Sequence, residues 1–130
     1  MTSRKAVATL MGLESASLAV MSTLHLTGAL SGQPGSSAGI PEALICVALA
    51  AGTEALVRRR PHARALATGT LVFAIAGFLI GLSFTLSGNS AVDLAYHAAV
   101  LPLLVVTLAM LRRSRAPSRP GRRSPSRPRP

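Results

Sequence analysis

Asp93 and His97 stand four positions apart in the stretch DLAYHAAVLP, residues 93–102. On a helix that spacing puts both side chains on one face, where they can meet. A histidine beside a carboxylate can relay protons, and two histidines with carboxylates can hold a divalent metal such as zinc. His25 and Glu42 are the other members such a metal set would recruit, and Glu14, alone in the first apolar run, is a further carboxylate whose place invites chemistry. What this chemistry amounts to depends on the elements that carry the five residues.

Those elements are apolar helices. Apolar residues make up 49% of the chain and charged ones 14%, and the two kinds are segregated instead of mixed as on a soluble surface. Hydropathy marks four runs, residues 6–30, 41–57, 65–87 and 91–111. Three reach the roughly 20 residues needed to cross ~30 Å of hydrocarbon, and the second is near the lower limit. The first is too long for the apolar core of a cleaved signal and no clear small-x-small cleavage site closes it, so it is read as a retained helix. The fold class is therefore all-α: an integral membrane bundle of four transmembrane helices over residues 1–111, followed by a basic tail over 112–130.

Charge sets the orientation. Arg4 and Lys5 precede the first run, Arg58, Arg59, Arg60 and Arg64 lie between the second and third, and the remaining arginines follow the fourth. With four crossings all of these fall on one side. The positive-inside rule then places both termini in the cytoplasm of a cell bounded by an inner membrane. The single Lys among thirteen arginines fits the coding bias of a GC-rich bacterial genome. Cys46 has no partner for a disulfide and reads as a small buried residue.

Local signals refine the helices. Pro41 suits a first helical position, and Glu42 in the first turn complements the helix dipole. Ser90 and Asp93 fit a capping box, which accounts for the aspartate structurally and leaves His97 as its hydrogen-bond partner. Pro102 frees the carbonyl of Ala98. Glu54 pairs naturally with Arg58 one turn on. His62, in RRRPHAR, belongs in solvent or among headgroups. GNS, residues 88–90, forces a tight hairpin. Gly77 and Gly81, extended by Thr70 and Ala74, form a small-residue row for helix packing within the bundle, and Ala8, Gly12 and Ala16 form another. The tail, rich in Arg, Ser and Pro, cannot offset the entropy of ordering and is expected to be disordered.

Depth separates the ionisable groups. Counting from the outer helix ends, His25 and His97 lie level at about 8 and 9 Å, with Glu42 and Asp93 about one turn above. Tyr96, Ser83 and Thr85 are close enough in register to join this layer. Glu14 lies about 12 Å from the inner end of its helix, on one face with Ser17, Met21, His25 and Gly28. At that depth a carboxyl must be paired or protonated, and Arg64, Thr68, Thr70 and Thr107 are the partners within register.

One membrane carboxylate, Glu14, in the first of four short helices and a glycine-rich third helix with Gly77 and Gly81 resemble the layout of the small multidrug resistance transporters. The chain departs from that family in having no Trp, a long basic tail, and arginines on one side only. The resemblance implies proton-coupled transport through Glu14.

No Gly-rich phosphate loop, CxxC, nucleophile elbow or HExxH is present. The sequence therefore predicts a non-enzymatic membrane protein that binds lipid or associates with a membrane-protein partner or with itself. Two alternatives use the same residues: a proton-coupled transporter or metal-binding protein built on Glu14 and the His25, Asp93, His97 and Glu42 layer, and a membrane-embedded enzyme on a lipid or quinone with Asp93 and His97 as acid and base. The tail lacks aromatic residues to stack on bases, so anionic lipid headgroups, met first by Arg112, Arg113 and Arg115, are expected over nucleic acid.

Overall fold

The computed structural model describes residues 3–30, 38–87 and 90–114, and every regular element among them is helical. Helix α1 is Ser3–Thr27, α2 is Gly39–Val57, α3 is Ala63–Ser87 and α4 is Ala91–Arg113. Each is long and apolar enough to cross a membrane. The expectations for Gly88 and Asn89 in the hairpin and for the tail from Arg115 onward lie outside the described residues.

Helix boundaries follow local chemistry. α1 stops three residues short of the expected Leu30 because Gly28 adopts φ 76°. The Gly28 and Ala29 amides then fold back onto the carbonyls of His25 and Leu24 at 3.2 and 3.0 Å, a Schellman closure. α2 begins two residues before the expected Pro41. Pro41 is its third residue, still inside the first turn, where an amide hydrogen has no intrahelical acceptor to lose. Ser90 caps α4 as expected, accepting the amide hydrogen of Asp93 at 3.3 Å, and α4 continues through Pro102.

The helices form a ring. Each packs against its neighbours in sequence and α4 returns to α1, and among the described residues the backbones do not approach closely across either diagonal. The α1–α2 seam is the most extensive and α4–α1, which closes the ring, the least. Met11, Leu18, Leu49, Leu56, Leu71 and Leu104 fill the centre, while Leu44, Val47, Phe73, Ile80 and Phe84 stand outward. Helices apolar on all sides suit lipid, where polar contacts and close packing, not water exclusion, would hold them to one another.

The small-residue rows divide between seams. A methyl group built on Gly77 would lie 2.6 Å from Cδ1 of Ile45 on α2, whereas one on Gly81 would lie 2.7 Å from Nε2 of His97 on α4. The two glycines thus admit two different neighbours. On α1 the expected row breaks up, since Ala8 is buried but Ala16 is exposed. The packed face runs instead through Val7, Met11, Glu14, Leu18, Met21 and His25.

At the basic end two arginines clamp neighbouring helices. Arg4 donates to the carbonyl of Leu56, joining the start of α1 to the end of α2. Arg64 donates to the carbonyls of Leu111 and Ser114, at 2.6 and 3.4 Å, joining the start of α3 to the end of α4. Both guanidiniums meet C-terminal carbonyls that have no intrahelical donor and carry the negative end of the dipole. Between α2 and α3, Arg59 and His62 adopt φ 53° and 61°. Glu54 receives Arg58 at 3.2 Å, as expected, and Arg60 at 3.1 Å.

Candidate functional site

His25, in the last turn of α1, points into the bundle opposite the basic end. Its Nδ1 is 2.7 Å from Oε2 of Glu42 and its Nε2 is 3.0 Å from Oδ1 of Asp93. One imidazole thereby ties α1 to the first turns of both α2 and α4. Each group also suits its helix terminus, with acids at N-terminal ends and a histidine at a C-terminal end. For both contacts to be hydrogen bonds the cluster must hold two protons, both on the ring or one on the ring and one on a carboxyl. The expected role of Glu42, easing a helix dipole, is thus joined by a specific buried partner.

His97 corrects the expected pairing. Its Nδ1 donates to the backbone carbonyl of Asp93 at 2.8 Å, and the Asp93 carboxylate is taken by His25 instead. An imidazole four residues along a helix reaches the carbonyl of the preceding turn more easily than a carboxylate that has swung to the next helix. Nε2 of His97 faces Gly81, and the ring packs against Phe78 with centroids 5.1 Å apart. His97 and Asp93 therefore do not form the side-chain acid/base pair that chemistry on a lipid or quinone would use. Nor do Ser83 and Thr85 join the layer, since they bond the carbonyls of Ile80 and Gly81 on their own helix.

Glu14 is 1% exposed. Of the four partners within register the structure selects Thr107, whose hydroxyl donates to Oε1 at 2.8 Å while also contacting the carbonyl of Leu103 at 2.9 Å. Arg64 is committed to the end of α4, and Thr70 bonds the carbonyl of Ala67. Oε2 of Glu14 has no hydrogen-bond partner among the described residues. Between Glu14 and the His25 cluster, Ser17 bonds the Glu14 carbonyl at 2.9 Å and lies 3.1 Å from the hydroxyl of Tyr96.

These contacts place three polar rungs across the α1–α4 seam: Glu14 with Thr107, Ser17 with Tyr96, and His25 with Asp93. The α1–α2 seam has its own, Ser15 to the Cys46 carbonyl at 2.9 Å and Ser22 to the Gly39 carbonyl at 2.7 Å. Sequence reasoning missed this second pair. The available signal was the recurrence of serines through an otherwise apolar first run.

Chemically, the arrangement can cross-link helices and exchange protons. Among the described residues no group of three or more His, Cys, Asp and Glu side chains is arranged to hold a metal. Both ring nitrogens of His25 and one of His97 are directed at oxygen acceptors. The chain matches no family model, no curated protein and no solved structure. Arg112 and Arg113, the described members of the expected headgroup contacts, lie exposed at the end of α4.

Proposed function

We propose that the protein is a non-enzymatic multi-pass component of an inner membrane, with both termini in the cytoplasm, which acts by binding anionic lipid and associating with other membrane components. The observation that carries this reading is the engagement of His25 by carboxylates from two other helices at 2.7 and 3.0 Å. It supports a structural use of the polar groups that first suggested chemistry. The working surface is then the outside of the bundle and its basic end. Solubilised full-length protein is expected to bind vesicles containing phosphatidylglycerol, to bind phosphatidylcholine vesicles weakly, and to lose the difference at high salt. Equal, salt-independent binding to both would sink the reading.

A second reading is favoured by Oε2 of Glu14. An intramembrane carboxyl with one oxygen unbonded is a group able to take up and release a proton, and the rungs above it lead toward the His25 cluster. On this reading the protein couples proton movement to transport. Proton flux into proteoliposomes, followed with an entrapped pH-sensitive dye, is expected to fall in Glu14→Gln. Flux equal to wild type in that folded variant would remove Glu14 from any such role.

A further inference from the structure

We infer that the basic end carries a defined binding site for one phosphate-bearing anion, in the cleft where Arg4, Arg60, His62 and Arg64 meet the end of α4. This rests on the lipid-binding reading and narrows it from general attraction to a stoichiometric site. The cleft has a volume of about 360 Å³, and Leu56, Ala63 and Leu111 supply its apolar walls. A second hollow of about 470 Å³, lined by Arg4, Lys5 and Arg59, lies on the other side of Arg4.

Three observations converge on the first cleft. Two of its arginines are held in place: Arg4 is anchored on the Leu56 carbonyl and Arg64 on that of Leu111, so two guanidiniums that line the cleft are positioned before any ligand arrives. A guanidinium has five N–H donors, and those contacts leave others for an anion. The loop that supplies Arg60 and His62 contains two non-glycine residues in the left-handed region, Arg59 and His62. Arg59 is the left-handed residue that closes α2, with its amide on the Leu56 carbonyl at 3.3 Å and that of Arg60 on the Ala55 carbonyl at 3.1 Å, so the backbone that carries Arg60 to the cleft is hydrogen-bonded in place. Finally, polar and apolar walls meet. A lining that combines cations with leucines suits a group whose phosphate stays at the membrane surface while an acyl chain runs along the bundle.

Acidic competition is limited to Glu54, which holds Arg60 at 3.1 Å in an exposed pair that an incoming phosphate can displace. The same chemistry serves a phosphatidylglycerol headgroup or a free phosphate, and the experiment separates them.

Full-length protein in zwitterionic detergent is titrated with short-chain phosphatidylglycerol, short-chain phosphatidylcholine and inorganic phosphate. Saturable binding of phosphatidylglycerol, close to one per chain, is expected. An Arg60→Gln, His62→Asn variant with unchanged helicity should bind about tenfold more weakly. Replacing Arg115, Arg119, Arg122 and Arg123 by Gln in the full chain should leave the saturable phase intact. Should the loop variant not fold, Arg60→Gln alone serves, because that side chain is exposed and bonds only Glu54 among the contacts described. Competition by inorganic phosphate at matching concentration assigns the site to free phosphate; failure to compete assigns it to the lipid headgroup. Binding that never saturates, or that the tail replacement abolishes and the loop variant preserves, overturns the site while leaving general lipid attachment standing.

Discussion

Thr107 donates its hydroxyl hydrogen to Oε1 of Glu14 over 2.8 Å, across the seam that closes the helical ring. The pair joins residues 93 positions apart and is fully buried on both sides. Thr107→Val keeps the shape and removes the donor, leaving Glu14 with neither oxygen bonded to a described residue. The expected cost is about 1–2 kcal/mol, measured by reversible unfolding in detergent micelles. In a double-mutant cycle with Glu14→Leu the two changes should be less than additive. Strict additivity would mean that the hydrogen bond contributes nothing.

His25 and His97 should rank differently. Loss of the His25 ring orphans two carboxylates, whereas loss of the His97 ring releases only a backbone carbonyl already within the helical ladder. His25→Ala is expected to destabilise by about 2–4 kcal/mol beyond cavity effects, and His97→Ala by about 1 kcal/mol less at minimum. The order of the two denaturation midpoints checks this, and a reversed order would contradict the bridging role.

Zinc provides a sharper discriminator for the same layer. Calorimetric titration of purified protein is expected to show no saturable heat, because three of the four ring nitrogens are directed at oxygen acceptors. Saturable binding that a folded His25→Ala, His97→Ala variant loses would instead make the layer a metal site.

Glycines on α3 should respond unequally to a methyl group. At Gly81 the added carbon meets the ring of His97, which its bond to Asp93 holds in place, so Gly81→Ala should cost about 1–3 kcal/mol. At Gly77 it meets only the flexible tip of Ile45, and a smaller loss is expected. Gly69 has nothing within 4 Å, and Gly69→Ala should be neutral or gain up to about 1 kcal/mol from helix propensity. Thermal midpoints of the three variants test the order.

Arg59→Gly removes a left-handed non-glycine residue at the end of α2. A gain of about 0.5–1 kcal/mol in stability is expected. A lower midpoint would show that the Arg59 side chain contributes more than its backbone conformation costs.

The helices were legible in the sequence because unbroken apolar runs and their Gly, Ser and Arg boundaries are one-dimensional signals. Only the two ends of α1, each three residues earlier than expected, differ by more than a residue or two. That His25 lies within about a turn of Glu42 and Asp93 also followed from counting, and Thr107 was among the partners within register of Glu14. The pairing itself did not follow. Which carboxylate meets which ring depends on how each helix is rotated about its axis, and helices apolar on every side carry little periodicity to report that rotation. Gly77 and Gly81 show the same gap: their spacing predicts close approach but not that two different helices make it. Arg4 reads in the sequence as a topology signal, and Arg64 as a topology signal or a partner for Glu14; their clamping role depends on which helix ends lie side by side.

The three rungs of the α1–α4 seam set a timing problem for biogenesis. Glu14 and His25 emerge from the ribosome in the first helix, but Thr107 and Asp93 follow 93 and 68 residues later. At ~5–20 residues per second, the delay is roughly 5–20 s for Glu14. If the helices enter a membrane in chain order, the polar face of α1 waits through that interval without the groups that later satisfy it. That face then needs shelter, by insertion machinery or by a proton on Glu14, until α4 arrives, and the making of α4 becomes the step that completes the packing of α1.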